Sequence, residues 1–284
     1  MQKLSASIVV YKTDVKVLQR AVESFQNSTL SGSLTIIDNS PADILREICT
    51  KWGTRYIFSA TNLGYGSGHN IALKESLENA RYHLVLNPDV YFEIDTLENL
   101  YEFMEERSQA GWVMPCVKDP DGKLQMLCKL LPSPLNLFTR RFFPHTTWSK
   151  ELNERYELKS SGYQRVMNVP FLSGCFMFLR TSALREVGLF DERFFLYAED
   201  TDLSRRMHQR FETLYCPWAE IVHLHERGSY KNVKHTLLNL KSAVQYFTKW
   251  GWLIDSEREL VNRQVEQSLK APANQLPEMN KAVA

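Results

Sequence analysis

The sequence predicts an α/β fold in which helices flank a mostly parallel central sheet. Short β-branched or apolar runs alternate with segments of helical spacing over residues 7–89, the order expected of parallel strands joined by helical crossovers. Polar residues follow the predicted strands, at 12–14, 38–40, 62–68 and 87–89. Because ligands bind at the carboxyl ends of strands in open α/β sheets, we expect these loops to converge on one site.

The elements of the first half follow from apolar spacing. The predicted strands are 7–11, 34–37, 56–58 and 83–86. Apolar residues recur at helical intervals between them, which predicts helices over about 15–25, 42–51 and 69–80. The glycine-rich stretch at 64–68 is expected to be the turn that opens the third of these helices.

The second half has a less regular pattern. Asp119–Gly122 predicts a turn between strands. Residues 129–150 combine prolines with basic and aromatic residues and show no clear period, so we expect a mobile loop or short helices there. Strands are predicted near 165–169, 174–180 and 214–216, and helices over 199–210 and 233–250.

Composition excludes several classes of protein. The 284 residues carry 34 Lys and Arg against 33 Asp and Glu, a net charge of +1, which argues against a nucleic-acid binder. Five scattered cysteines without a CxxC pair make a disulfide framework or zinc site improbable and favour a reducing cytosol. The longest apolar stretch, near 169–179, is too short and interrupted to span a membrane. We therefore expect a cytoplasmic protein, soluble or attached to a membrane surface.

Two motifs in the first half have both a chemical and a structural interpretation. Asn87-Pro88-Asp89 ends the fourth strand, where a carboxylate can hold Mg²⁺ or Mn²⁺ against phosphate oxygens, but the same residues suit an Asx-Pro turn. The stretch from Asn62 to Asn70 contains Gly64, Gly66 and Gly68 and could approach a phosphate closely. A structural turn explains these glycines equally well, because the stretch has neither Walker nor GxGxxG spacing.

Two motifs in the second half carry titratable groups. Glu199, Asp200 and Asp202 follow an unusually apolar segment, so a buried carboxylate there could act as a general base. The alternative is that they complement the dipole at a helix start. His223 and His225 alternate and would share one face of a strand, with Arg227 and Ser229 able to bind phosphate. A neutral imidazole can bind a metal, although a surface position is favoured for His225.

Taken in order, these segments resemble glycosyltransferase family 2, the inverting nucleotide-sugar transferases of the GT-A fold. The resemblance covers about residues 5–250 and includes IIDNS, NLGYGSGHNIA, LVLNPDV, FLSGCFMFLR, GLFDERFFLYAEDTDLSRR and IVHLHERGSY. It is greatest for bacterial rhamnosyltransferases of O-antigen and surface-polysaccharide assembly. It implies a GT-A catalytic domain over 1–230, with a nucleotide-binding half at about 1–116 and an acceptor half at 117–230. A C-terminal amphipathic helical segment over 231–270 and a disordered tail over 271–284 would follow.

The resemblance also implies roles for individual residues. Asp200, paired with Glu199, would deprotonate the acceptor, while Asp89 and His223 would bind Mg²⁺ or Mn²⁺. Two departures from the family pattern are Asn87, where the first Asp of a DxD motif is usual, and Lys12, where many relatives have Asn. The residues implied to border the nucleotide and sugar are Tyr11, Asp38, Asn62, Gly64, Gly66, Asn70, Asn87, Arg227 and Ser229.

The implied partners are a nucleotide-diphospho-sugar and a glycan or lipid-diphosphate-linked acceptor. By subgroup, dTDP-rhamnose is the favoured donor, with UDP-hexoses and GDP-sugars as alternatives. Basic and aromatic residues at 129–150 and 241–252 could contact the cytoplasmic face of the inner membrane. Alternatively, they could pack on the core or on a second subunit, so the sequence is also compatible with a homo-oligomer.

The sequence argues against two other functions. A nucleotidyltransferase would need a glycine-rich loop after the first strand, and that loop is absent. A non-catalytic binding module would not need the Glu199–Asp200 pair.

Overall fold

A nine-stranded mixed sheet forms the centre of the molecule, in a computed structural model that describes residues 1–30, 32–143, 146–224 and 233–270. Eight strands follow one another across the sheet in the order β3-β2-β1-β4-β10-β6-β11-β5, and β8 pairs with β11. The strands β7 and β9 form a separate two-stranded sheet. The strands are β1 (Gln2–Val10), β2 (Ser33–Asp38), β3 (Arg55–Phe58), β4 (Ala80–Leu86), β5 (Val90–Phe92), β6 (Ala110–Lys118), β7 (Cys128–Lys129), β8 (Met167–Asn168), β9 (Phe171–Leu172), β10 (Phe176–Arg180) and β11 (Glu212–His223).

Ten α-helices lie in the described part of the chain. They are α1 (Val15–Gln26), α2 (Arg46–Lys51), α3 (Tyr65–Asn79), α4 (Thr96–Glu105), α5 (Pro134–Phe142), α6 (Thr147–Tyr156), α7 (Thr181–Val187), α8 (Glu199–His208), α9 (Val233–Trp250) and α10 (Ser256–Lys270). Among the described residues, none of the helices combines the length and the apolar character needed to cross a bilayer.

The parallel half of the sheet confirms the predicted α/β class. The strands β1, β2, β3 and β4 are all parallel to one another. Residues 4–10 of β1 are buried without interruption, because helices cover both faces of a parallel sheet. Beyond β4 the sheet is mixed, since β10 runs antiparallel to β4 and β6, and β5 runs antiparallel to β11. All five cysteines are free and buried.

Three sequence predictions need correction or refinement. The helix expected from residue 69 begins at Tyr65, so the glycine run lies mainly inside α3 rather than in a turn before it. Residues 129–150 contain α5 and the start of α6, which confirms the alternative of short helices. Aromatic residues of α9 that were considered for a lipid surface, Tyr246 and Phe247, are buried against Phe194.

Two histidines and two serines form a hydrogen-bonded group inside the parallel half. Ser7 Oγ lies 2.7 Å from His69 Nδ1 and 2.8 Å from His83 Nε2. Ser5 Oγ lies 2.8 Å from His83 Nδ1. Burial lowers the pKa of His83 to about 3 and also holds the pKa of His69 well below its ordinary value. Both imidazoles are therefore neutral in the folded protein even near pH 6, where a histidine in the unfolded chain, with a pKa of about 6.5, binds a proton.

We expect this group to make folding stability fall as the pH decreases. Its contribution is complete above about pH 6.5, and between there and about pH 3 the unfolded chain binds protons that folded His83 does not bind. The loss should be about 1.4 kcal/mol per pH unit for each histidine. Urea unfolding of the wild type and of His83→Gln at about pH 7 and about pH 5 would measure it. Equal pH slopes for the two proteins would show that His83 does not carry this dependence.

The C-terminal helices are tied to α8 by a buried ion pair. Arg205 donates to both carboxylate oxygens of Asp255, at 2.8 and 2.7 Å, and also to Glu257 Oε2 at 2.6 Å. Its guanidinium lies 4.2 Å from the ring centre of Trp250. Asp255 also caps α10 by accepting the N–H of Arg258 at 2.9 Å. The side chains of Arg205 and Asp255 are only 2% and 3% exposed, so each charge depends on the other.

Removing one partner of this pair should destabilise the protein strongly. Arg205→Met is expected to lower the free energy of unfolding by about 3–5 kcal/mol, because the buried Asp255 loses its bidentate partner and keeps only the longer ion pair with Arg258, at 3.8 Å. Arg210→Met is a matched control, since Arg210 follows the same helix and its ion pair with Glu186 is exposed; it should cost less than about 1 kcal/mol. Denaturant titrations would compare them, and similar losses would contradict a special role for Arg205.

Candidate active site

Both carboxylate oxygens of Asp38, at the end of β2, accept hydrogen bonds from neighbouring loops and strands. Its Oδ1 accepts the N–H of Ser40 at 2.8 Å, and its Oδ2 accepts the Tyr56 hydroxyl at 2.8 Å. The side chain is fully buried. Burial, followed by the hydrogen bonds to Asp38 and Asp43, raises the pKa of Tyr56, which keeps this hydroxyl a donor. Asp38 thus shapes the loops at this edge, and its direct contact with a nucleobase stays a prediction.

Tyr11 lies on the surface of the same edge and is 50% exposed. The ammonium of Lys12 is 5.6 Å from its ring centre, a distance suited to a cation–π interaction. The Lys12 N–H donates to Ser40 Oγ at 2.8 Å, which joins the loops after β1 and β2. An exposed aromatic ring beside these joined loops is a suitable surface for stacking a base.

The glycines at the start of α3 allow close packing. Gly64 has φ +87°, and a Cβ there would collide with the carbonyl oxygen of Phe195. A Cβ on Gly66 would lie 2.8 Å from Cβ of Phe190, and one on Gly68 would lie 2.8 Å from Cγ2 of Val9. The structural interpretation of the glycine run therefore accounts for all three residues without a ligand. That Gly64 and Gly66 also border the nucleotide stays a prediction.

Asn70 holds the segment before α8 against α3. Its Oδ1 accepts the N–H of Phe190 at 3.1 Å, and its Nδ2 donates to the carbonyl of Phe190 at 2.9 Å and to Glu192 Oε1 at 3.0 Å. The amide is buried. Asn62 is exposed, and its Oδ1 accepts the N–H of Gly64 at 3.0 Å. Both side chains therefore have described structural roles, and their contacts with donor stay predictions.

Asp89 and His223 are brought together by strand pairing. His223 ends β11 opposite Val90, the first residue of β5, and Asp89 directly precedes that residue. Asp89 Oδ2 consequently lies 3.5 Å from His223 Nε2. Gln125 faces the other side of the ring, with Oε1 at 3.1 Å from His223 Nδ1 and Nε2 donating to the His223 carbonyl at 2.8 Å. This contact favours a proton on Nδ1 and directs Nε2 toward Asp89.

The donor set of this pair fits a divalent cation shared with a diphosphate. Mg²⁺ and Mn²⁺ use carboxylate and imidazole ligands and complete their coordination with phosphate oxygens. In the described part of the chain, no group of three or more His, Cys, Asp or Glu side chains is arranged to hold a metal. Burial lowers the pKa of His223, but Cys175 and Asp89 outweigh it and raise that pKa to about 10. A cation would therefore have to displace a proton.

Glu199 and Asp200 are the first residues of α8, and the backbone just before them is strained. Tyr197 and Ala198, just before them, have φ of 71° and 65°, in the left-handed region, a strain that is often found at functional sites. Asp200 Oδ2 accepts the N–H of Gly174 at 3.0 Å, and its Oδ1 accepts the N–H of Thr201 at 2.7 Å. Glu199 is buried, and its Oε2 has no hydrogen-bond partner within the described residues.

The two carboxyl groups influence each other. Burial, followed by the charge of Asp200, raises the pKa of Glu199 to about 8. Burial also raises the pKa of Asp200. The N–H donors at Gly174 and Thr201 favour the ionised form of Asp200. Backbone hydrogen bonds from residues 197 and 199 also act to lower the pKa of Glu199, but burial and the charge of Asp200 outweigh them. Near neutral pH the pair is therefore expected to hold one negative charge, located on Asp200.

One short segment connects the base to the metal pair. The N–H of Gly174 donates to Asp200, and the carbonyl of Cys175 accepts the N–H of Asn87 at 2.9 Å. The Tyr65 hydroxyl donates to the carbonyl of Gly174 at 2.6 Å, which ties the segment to α3. Residues 174–175 thus separate the Glu199–Asp200 pair from the loop that contains Asp89. These residues belong to the motif FLSGC, but the sequence indicated no role for them. Gln125 lies outside every motif identified in the sequence.

The remaining predicted residues cannot be placed. Arg227, Ser229 and His225 lie outside the described residues, as does the predicted tail at 271–284.

The profile of the family "Glycosyl transferase family 2" matches residues 5–188. The chain belongs to this family. Its fold is that of the GT-A glycosyltransferases, as comparison with solved structures shows. A crystal structure of GalNAc-T7 with UDP, GalNAc and Mn²⁺ superposes with a TM-score of 0.59 at 14% identity, covering 79% of this chain and 43% of that one. A structure of S. aureus TarS residues 1–349 has a TM-score of 0.58 at 16% identity, covering 96% and 76%.

Relatives of this family 2 glycosyltransferase include two rhamnosyltransferases. The N-acetylglucosaminyl-diphospho-decaprenol L-rhamnosyltransferase of Mycobacterium tuberculosis is 28% identical over 208 residues, which cover 67% of this chain and 66% of the relative. This family 2 chain therefore spans about two thirds of the length of the mycobacterial protein. Rhamnosyltransferase WbbL of Escherichia coli K12 is 25% identical over 255 residues, which cover 85% and 92%.

Proposed function

We propose that the protein is an inverting, metal-dependent rhamnosyltransferase of surface-polysaccharide assembly. Its donor is dTDP-L-rhamnose, and its acceptor is a hydroxyl of an undecaprenyl-diphosphate-linked saccharide. The observation that carries the proposal is the position of residues 174–175 between a buried carboxylate pair and the Asp89–His223 pair. Similarity to two rhamnosyltransferases supports the choice of sugar.

The residues fit a single displacement at the anomeric carbon. Asp200 accepts the proton of the acceptor hydroxyl as its oxygen forms a bond to that carbon. The bond from the carbon to the diphosphate oxygen breaks at the same time, and the nucleoside diphosphate leaves from the opposite face. Asp89 and His223 would hold Mg²⁺ or Mn²⁺, which would neutralise charge on the diphosphate. The GalNAc-T7 structure with UDP and Mn²⁺ supports a divalent cation in this fold.

Donor identity and metal use can be tested together by thermal unfolding. We expect dTDP-rhamnose to raise the unfolding midpoint more than a UDP-hexose or a GDP-sugar, and more with Mn²⁺ than without it. A donor at 100 times its Kd should add about 2.7 kcal/mol to stability, because it binds only the folded state. A larger shift with another donor would reject dTDP-rhamnose, and a shift independent of Mn²⁺ would reject the metal.

The role of Asp200 can be tested with Asp200→Asn. We expect transfer of rhamnose to fall by at least about 100-fold, because the amide cannot accept the proton, while the donor-induced thermal shift persists. Asp121→Asn, in the exposed turn after β6, is the matched control and should retain full activity. Full activity of Asp200→Asn would show that another group is the base.

The surface supports attachment to the cytoplasmic face of the inner membrane. Leu253 and Ile254, between α9 and α10, are 84% and 89% exposed. Further exposed apolar residues lie on and after α5 and along α9: Leu135, Phe138, Phe143, Trp148, Leu237, Leu240 and Val244. Single exposed apolar residues are normal, but the consecutive residues Leu253 and Ile254, with Trp252 at 45% exposure, form an exposed apolar group of the kind that contacts a membrane or another protein. A lipid-linked acceptor would give the membrane contact a function.

Flotation with liposomes containing anionic lipid would test this surface. We expect the wild type to float with the vesicles and the double variant Leu253→Ser, Ile254→Ser to float several-fold less, because less apolar area enters the interface. Ile94→Ser is a matched control, since Ile94 is also exposed but follows β5. Wild-type protein that stays unbound would contradict the membrane contact. An equal loss of flotation for Ile94→Ser would show that Leu253 and Ile254 are not the contact site.

A further inference from the structure

Lys129 is close enough to Asp200 for its charge to favour the ionised form of that carboxyl, but it belongs to a different part of the fold. It ends β7, which pairs with β9 so that Lys129 is opposite Phe171. The Lys129 ammonium is 5.2 Å from the ring centre of Phe171. Three residues after Phe171, Gly174 donates its N–H to Asp200. The pairing of β7 with β9 thus places a cationic side chain next to the segment that positions the base.

The ammonium of Lys129 has no hydrogen bond or ion pair within the described residues, although it is half-buried. Arg140, on the neighbouring helix α5, pairs instead with Glu157 Oε1 at 2.9 Å. Burial, and then the charge of Arg140, lowers the pKa of Lys129, while Glu157 and Asp200 act in the opposite direction. Glu157 and Asp200 compensate the ammonium without a direct contact, so its N–H donors stay available to an anionic ligand.

The position of Lys129 relative to the base indicates which anion it would bind. Asp200 is the proposed base, so the acceptor hydroxyl must lie against it. In a monosaccharide linked through its anomeric oxygen to a diphosphate, the acceptor of this inference, the reacting hydroxyl and the phosphate are attached to the same ring. The anion site must then adjoin the base, as Lys129 does. The diphosphate of the donor, in contrast, is assigned to Asp89 and His223, beyond residues 174–175.

We propose that Lys129 binds the phosphate groups of the diphosphate-linked acceptor and thereby selects an anionic acceptor over a neutral glycoside. This inference rests on the proposed function, because it takes Asp200 as the base. The chain continues from Lys129 into α5, whose exposed Leu135 and Phe138 offer an apolar surface for the lipid. The structure thus offers a charged group for the diphosphate and, a few residues later, apolar groups for the chain attached to it.

Kinetics with two acceptors would test the proposal. One is a short-chain isoprenyl-diphospho-N-acetylglucosamine, and the other is an alkyl glycoside of the same sugar without phosphate. For Lys129→Met we expect KM of the diphosphate acceptor to rise at least about tenfold, as for loss of one charge-assisted hydrogen bond. KM of the alkyl glycoside and KM of dTDP-rhamnose should not change. Lys129→Arg should restore most of the diphosphate preference.

Three comparisons make the test decisive. Lys123→Met, in the exposed turn before β7, should behave as the wild type. If Lys129→Met raised KM for both acceptors equally, or shifted only the pH profile of kcat, Lys129 would act on Asp200 and the anion site would be rejected. If it raised KM of the donor instead, the leaving diphosphate would be its ligand, which also rejects the proposal.

A binding measurement separates this inference from the proposed function. Calorimetry with farnesyl diphosphate, and with farnesol as the uncharged match, needs no transfer reaction. We expect wild-type protein to bind the diphosphate at least about tenfold more tightly than Lys129→Met does, with farnesol unaffected. If no sugar is transferred but this difference holds, the proposed function fails while the anion site stands; equal binding by both proteins overturns the site.

Discussion

The buried ion pair between Arg205 and Asp255 determines where the candidate base can lie. Asp200 is in the first turn of α8, and Arg205 is in its last turn. Asp255 is the cap of α10, so the bidentate contact fixes α8 and the C-terminal helices to each other. On the same helix, Asp202 Oδ2 accepts from Arg206 Nε at 2.9 Å, and its Oδ1 accepts from Trp250 Nε1 at 2.8 Å. This highly charged helix can be buried because Asp202 and Arg205 on its inward face have partners of opposite charge.

This arrangement divides the acidic cluster into two chemical classes. Asp202 is fully buried and compensated by Arg206 and Lys249, so it stabilises the fold. Glu199 and Asp200 lie at the helix start, and no arginine or lysine forms an ion pair with either of them in the described structure. Burial without an ion pair raises a carboxyl pKa, which makes the ionised form a stronger base. The sequence cluster therefore combines a structural carboxylate with two that are suited to proton transfer.

Sequence patterns predicted the parts of the fold that local apolar spacing controls. The strands β1, β2 and β4 are largely buried, so their apolar runs are nearly continuous and easily recognised, whereas β3, at the edge of the sheet, is only partly buried. The strands β5 and β6 and the helices α4 and α7 were not predicted, and β11 extends well beyond the three residues expected for it. The short β5 exists because it pairs with β11, a contact between segments remote in sequence, and no local pattern records such a pairing.

Part of the candidate site could be predicted from motifs in the sequence. Asp89 and His223 were identified as metal-binding candidates, and the structure brings them together. Gln125 and Lys129 were not identified as site residues, because their proximity to His223 and Asp200 depends on long-range strand pairing. The glycines of α3 were ambiguous for a different reason. A missing Cβ permits close approach of a phosphate or of a neighbouring side chain, and only the positions of Phe190 and Val9 distinguish the two.

The segment at 174–175 makes the two halves of the site interdependent. A Cβ on Gly174 would lie 3.0 Å from Cβ of Asp200 and 2.9 Å from Cε of Met177, the flexible end of that side chain, so a larger residue would displace the Met177 side chain or the base. The strand β10 pairs with β4, and β4 ends directly before Asn87. The segment that positions the base is therefore continuous with a strand whose partner leads into the loop that holds Asp89. Because an in-line displacement requires the base and the diphosphate site to face opposite sides of one carbon, a rigid connection between them is part of the chemistry.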